Sequence, residues 1–190
     1  MRSIAEKEAL GKELRGLPQG NQITVSVDTL ADPFCEVVGI VAAYQQLNAS
    51  SNYELKVSTR GAGERLLENQ IITLDATLPK HPVCLYVDYF VADGKSVVHL
   101  FPSANDAHAC GLSGATIPIG EPKPGQAPWQ VSAPFGREMV LAVASPTPLF
   151  ASPRSGIESP EDYLPALRQA LEARNDTVLA DYLLVITEKK

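Results

Sequence analysis

The stretch Val83–Val91 is apolar or aromatic at every position except Asp88. A short run this rich in Val, Tyr and Phe reads as a buried strand. It is followed by Ala92-Asp93-Gly94-Lys95 and then by Ser96–Phe101, which Pro102 stops. Asp-Gly between two such segments is a hairpin signal, because the turn needs positive φ. The pattern therefore predicts an antiparallel hairpin at the centre of the fold. Strand alternation places Val87, Tyr89 and Val91 on one face and Tyr86, Asp88 and Phe90 on the other.

The flanking segments fit an α+β class dominated by antiparallel strands, a β-sandwich-like domain with a C-terminal helix and strand. Residues 1–20 read as a charged helix or linker, ending in the breaker cluster Leu17-Pro18-Gln19-Gly20. Residues 21–60 read as a small β-α-β unit. In it, 23–27 and 53–59 alternate as strands, and a helix follows Asp32 as cap and Pro33 at its first position. The sandwich-like domain then spans 61–190. Its further strands are expected at 71–78, 139–144 and 178–187, with a short edge strand at 115–119. Residues 103–130 are otherwise rich in Gly, Pro, Ser and Ala and are expected to form a long exposed loop region. Ser159-Pro160-Glu161-Asp162 opens a helix with Leu164, Leu167 and Leu171 on one stripe. Pro165 suggests that the regular helix starts nearer Asp162.

The chain has 190 residues, 45% of them hydrophobic and 20% charged, enough to bury a core without metal or disulfide help. Its formal net charge is −6, and Lys and Arg form no stripe. Nucleic-acid binding requires cations gathered on one face, so no nucleic-acid partner is expected. No apolar run reaches the roughly 18 residues that cross a bilayer, so no direct membrane insertion is expected. Met1–Leu17 is charged and lacks an apolar signal core, which reads as cytoplasmic unless the chain continues a longer polypeptide. The cysteines are Cys35, Cys84 and Cys110. Their odd number and spacing match neither a closed disulfide framework nor a zinc pattern. At least two are expected as buried or unpaired thiols, although one bridge is compatible with the count.

Known catalytic signatures are missing. No G-x-S-x-G elbow or P-loop occurs, and Gly61-Ala62-Gly63 lacks the third glycine of a dinucleotide fingerprint. His81 precedes Pro82 in a loop and reads as solvated, and His99 reads as a satisfied strand histidine. Asp106, His108 and Cys110 alternate and could present three ligands on one face, but no second ligand pair accompanies them. No metal site and no cofactor are therefore expected. Asp88 must be paired, hydrogen-bonded or exposed, which makes it a structural acceptor or a ligand contact. Trp129 is either a core plug or a recognition anchor. Arg137 and Glu138 precede the strand at 139–144, and a charged pair there reads as solvated surface, with a ligand contact through Arg137 and Glu138 as the alternative.

The segment from about Gly63 to Phe150 resembles a bacterial domain family of unknown function. That family recurs C-terminal to serine/threonine protein kinases and caspase-like peptidases. The resemblance rests on Leu85-Tyr86-Val87-Asp88-Tyr89-Phe90, Asp93-Gly94, Val97-Val98-His99-Leu100-Phe101-Pro102, Pro134-Phe135-Gly136-Arg137-Glu138 and Ala144-Ser145-Pro146-Thr147-Pro148-Leu149-Phe150. It implies a β-sandwich-like accessory module without catalytic residues, facing the cell envelope when attached to a kinase. The combined expectation is a non-enzymatic binding module whose partner is a protein, with Asp88, His99, Trp129 and Arg137 as candidate contacts. The competing classes are a hydrolase or metal-dependent enzyme using His99 or His108 with Asp88 or Cys110, and a purely structural assembly domain.

Overall fold

The computed structural model describes residues 30–61, 63–103, 109–122, 128–152, 154, 156–174 and 177–190. The expected charged helix at 1–16 and the strand at 23–27 lie outside them. Among the described residues the helices are α1 (Phe34–Ser50) and α2 (Pro160–Glu172). The strands are β1 (Lys56–Thr59), β2 (Arg65–Leu67), β3 (Leu74–Thr77), β4 (Cys84–Phe90), β5 (Val97–Phe101), β6 (Thr116–Ile119), β7 (Arg137–Ser145), β8 (Gly156–Glu158) and β9 (Leu179–Glu188). The chain is thus α+β, with two mostly antiparallel sheets and a C-terminal helix and strand.

The larger sheet has the order β2-β9-β7-β4-β5-β8, and the smaller one β1-β3-β6. Among the described residues all pairings of these strands are antiparallel except β2 with β9. Both faces of the large sheet are covered. On one face Val87, Tyr89, Val140, Ala142 and Val185 pack against Val57, Leu74, Ala76 and Ile119 of the small sheet. On the other, Tyr86, Phe90, Leu141 and Val143 pack against Val37 and Val41 of α1 and Tyr163, Leu164 and Leu167 of α2. This two-sided burial explains why β4 and most of β7 are near-continuous apolar runs rather than alternating ones.

The β4–β5 hairpin forms as the sequence predicts, pairing Phe90 with Val97 and Asp88 with His99. Its turn holds only Gly94 at positive φ, +69°, while the Asp93 side chain accepts from the Lys95 N–H at 2.9 Å. β6 is an edge strand, also as expected. Two helix starts differ from expectation. Pro33, not Asp32, takes the cap position of α1, without a side-chain capping bond. α2 starts at Pro160, capped by Ser159, whose Oγ accepts from the Asp162 N–H at 3.2 Å. Pro165 then sits inside the helix on its exposed side, where the carbonyl it leaves unbonded can be solvated.

One buried side chain ties α1 to both sheets. Asn48, 0% exposed, donates to the carbonyls of Leu55 and Ala180 at 2.8 and 3.1 Å and accepts from the Leu55 N–H at 3.0 Å. Between the sheets, Asp181 of β9 accepts from the Val57 N–H of β1 at 2.8 Å.

Cys84 and Cys110 form the one bridge that the cysteine count allows, which corrects the expectation of at least two buried or unpaired thiols; Cys35 is the free thiol. The bridge fastens the chain before Leu112 to the start of β4, beside the mutual backbone bonds of Val83 and Leu112. Among the described residues no helix is long and apolar enough to cross a membrane.

Candidate functional site

Two polar arrangements lie on opposite faces of the large sheet, and β4 supplies both through the adjacent residues Asp88 and Tyr89. On the helix face, Asp88 sits across the hairpin from His99. His99 Nδ1 lies 2.6 Å from Asp88 Oδ1, and Nε2 lies 2.5 Å from Glu158 Oε1 of β8. Carboxylates on both ring nitrogens require both to donate, which is the imidazolium form. Tyr163 of α2 donates to Asp88 Oδ2. Arg154 donates from Nε to Glu158 Oε1 at 2.6 Å and from Nη2 to Oε2, and its guanidinium lies over the rings of Phe150 and Tyr163. The side chains of His99 and Asp88 are 4% and 3% exposed, so the cluster is closed to water at its centre.

The cluster's charges balance, two carboxylates against one imidazolium and one guanidinium. Burial alone would lower the proton affinity of His99, but Asp88 and Glu158 outweigh it and hold His99 above its ordinary 6.5. Burial likewise acts to raise Glu158, yet hydrogen bonds from Arg154 and His99 leave it below 4.5. Burial, reinforced by the Asp88 charge, pushes the Tyr163 phenol well up. With both nitrogens engaged, His99 has no lone pair with which to take a proton from a substrate.

On the sandwich face, a cleft of about 330 Å³ opens between β4, β5 and the segment 128–134. Its walls include Ile72, Val91, Val98, Leu100 and Pro134, with Trp129 and Tyr89 as the aromatic surfaces. Trp129 is half-buried and packs on the sandwich core. Its backbone carbonyl accepts from the Ile72 N–H at 2.9 Å. Gly120 lets the indole come close to the chain, since a Cβ there would lie 2.6 Å from Trp129 Cε3.

Glu138 is the charged residue among the described residues that line this cleft, and it is 4% exposed. Tyr89 donates to its Oε2 and the Ala92 N–H to its Oε1 at 3.2 Å. Burial pushes its carboxyl above the ordinary 4.5, against the pull of hydrogen bonds from Tyr89, Ala92 and Thr187, and Asp93 adds a like charge. The expectation that Glu138 is solvated surface is therefore corrected. Alternation along β7 carries its side chain to the face of Val140, Ala142 and Ala144.

The structure brings Asp88 and His99 together and sets Trp129 apart from them, across the sheet. Arg137 is half-buried at the start of β7, opposite Ile186. His108 and Asp106 lie outside the described residues, and the Cys110 sulfur is engaged with Cys84. His81 is exposed, as expected. Tyr163, Glu158 and Arg154 went unnoticed in the sequence, as did the burial of Glu138. No grouping of three or more His, Cys, Asp or Glu suited to a metal ion occurs among the described residues. No family model matches the chain, and no curated protein or solved structure matches it.

Proposed function

We propose that the chain is a non-enzymatic binding module of a bacterial signalling or envelope-associated system, and that the Trp129 cleft is its binding surface. The observation that carries this reading is the cleft itself. Apolar and aromatic walls converging on one buried polar group are the usual make-up of a recognition site. The exposed rim residues Gln130 and Ser132 give it a polar edge. The hydrolase alternative draws on the Asp88–His99 pair, which resembles a base with its orienting carboxylate. It is disfavoured because Glu158 occupies the remaining nitrogen of His99 and Cys84 occupies the sulfur of Cys110. The bacterial setting and the envelope-facing placement rest on the family resemblance, and the Cys84–Cys110 bridge supports an oxidising compartment.

The test pairs two measurements. Partners captured from the native host by the intact chain are identified and then titrated as purified proteins against the wild type and Trp129→Ala. A partner whose affinity falls at least tenfold in a normally folded Trp129→Ala supports the reading. A hydrolase screen run in parallel, with activity that disappears in His99→Ala, overturns it.

A further inference from the structure

Glu138 is a carboxyl held among apolar groups, and no lysine or arginine among the described residues forms an ion pair with it. The neighbouring charge acting on it, Asp93, has the same sign. Its oxygens accept from Tyr89 and from the Ala92 N–H, and the Thr187 side chain adds a third hydrogen bond, which still leaves a carboxylate a lone pair to offer. A buried carboxylate without a counter-charge is costly, so whatever fills the cleft gains most if it brings a cation. The walls favour the same kind of group. Trp129 and Tyr89 line the cleft that Glu138 lines, and aromatic faces attract ammonium groups. Val91, Val98 and Leu100 offer apolar surface to an alkyl stem.

The backbone at the rim points to a polypeptide as the carrier of that group. The Trp129 carbonyl accepts from Ile72, while Val131 donates to Gln70 and accepts from Asn69, so this segment pairs on one side with residues 69–72. By alternation the N–H and C=O of Gln130 face the other side, and they have no backbone partner among the described residues. An extended chain laid along that side would pair with Gln130 and drop a side chain into the cleft. We infer that the Trp129 cleft takes the lysine side chain of an extended protein segment, its ammonium directed to Glu138 and its stem against the apolar wall. This rests on the cleft being the binding surface.

The test is a titration of the intact chain followed by ¹⁵N NMR at the Trp129 indole N–H and the Ala92 amide. The probes are acetyl-Ala-Lys-Ala-amide, the same peptide with norleucine in place of lysine, and n-butylammonium. The lysine peptide is expected to bind at least tenfold more tightly than either of the others, with that preference lost in Glu138→Gln. Should Glu138→Gln fail to fold, Trp129→Leu keeps the apolar surface, removes the ring and is expected to cut the lysine preference at least threefold. Equal binding of the norleucine peptide overturns the cation assignment and leaves the cleft as an apolar binding surface. Equal binding of n-butylammonium overturns the polypeptide assignment. No shift at Trp129 or Ala92 with any probe overturns the inference altogether, while the partner titration with Trp129→Ala separately decides whether the cleft binds.

Discussion

Asp88 and His99 face each other across the central hairpin, with Asp88 Oδ1 2.6 Å from His99 Nδ1. Neither residue can be read alone. The strand offers a carboxylate to the helix face, and the register offers the one side chain that can neutralise it and pass the contact on to Glu158.

The pairing gives the cluster a defined pH window. His99 is held above its ordinary 6.5 in the folded chain, so its contribution is complete below that value and is lost as pH rises through the raised one. Glu158 is held below 4.5, so its contribution is complete above that value and is lost as pH falls through the lowered one. The cluster therefore stabilises most between the two ordinary values. His99→Gln is expected to cost about 3 kcal/mol in that window, because it leaves the buried Asp88 carboxylate without its imidazolium partner, while Glu158 keeps Arg154. The cost should shrink towards alkaline pH. Chemical denaturation of both proteins at several pH values measures it, and a cost that grows above neutrality would contradict the assignment.

Much of this pair was legible in the sequence. A turn centred on Asp93-Gly94 sets Val91 opposite Ser96, and the same register continued down the strands sets Asp88 opposite His99. The rest of the cluster was not legible, because Glu158 and Tyr163 arrive through β8 and α2, and only tertiary packing brings these to β4 and β5. Glu138 was legible in part. It shares the alternation of Val140, Ala142 and Ala144, but a charge beside a strand start reads as surface until a partner such as Tyr89 is known. The disulfide is not legible, because a count of cysteines does not contain their distances.

Gly94 should resist substitution for two separate reasons. Its φ of +69° is unfavourable for any side chain, and a Cβ there would approach Pro33 Cδ to 2.8 Å, just before α1. Gly94→Val is expected to destabilise by about 2–3 kcal/mol, the combined scale of a strained backbone position and overpacking. An unchanged melting temperature would count against both the turn and its contact with the entry to α1.

Asn48 makes three hydrogen bonds from a fully buried position, two of them with Leu55 and one with Ala180. Asn48→Ala leaves those backbone groups unpartnered and is expected to cost about 2–4 kcal/mol. Amide exchange should report the change locally, with the Leu55 N–H losing protection before the central hairpin does. Equal loss everywhere would mean that Asn48 supports the whole fold rather than the junction of α1 with the sheets.

The Cys84–Cys110 bridge closes a loop of sequence separation 26, for which loop entropy predicts about 3–4 kcal/mol of stabilisation. Unfolded but unreduced protein should take up one thiol label, at Cys35, and reduced protein three. A melting temperature that does not move on reduction would show that the unfolded chain gains little freedom from losing the bridge.

Tyr89→Phe tests the chemistry of the cleft without emptying it, since the ring remains and only the hydroxyl that donates to Glu138 is removed. Glu138 binds its proton more tightly in the folded chain than an ordinary carboxyl does, because burial and Asp93 outweigh its hydrogen bonds. Its contribution to stability is therefore complete below 4.5 and declines as pH rises through the raised value. The Tyr89 hydrogen bond limits that decline by favouring the ionised form. Removing it should raise the proton affinity further and steepen the decline. The expected cost of Tyr89→Phe is about 2 kcal/mol at pH 7, the scale of a hydrogen bond to a charged group, and distinctly less near pH 4, where Glu138 is protonated. Denaturation curves at the two pH values give the comparison directly. A cost that is equal at both, or larger at the lower pH, would mean that Glu138 stays protonated in the folded chain throughout, and a cation would then gain little at the floor of the cleft.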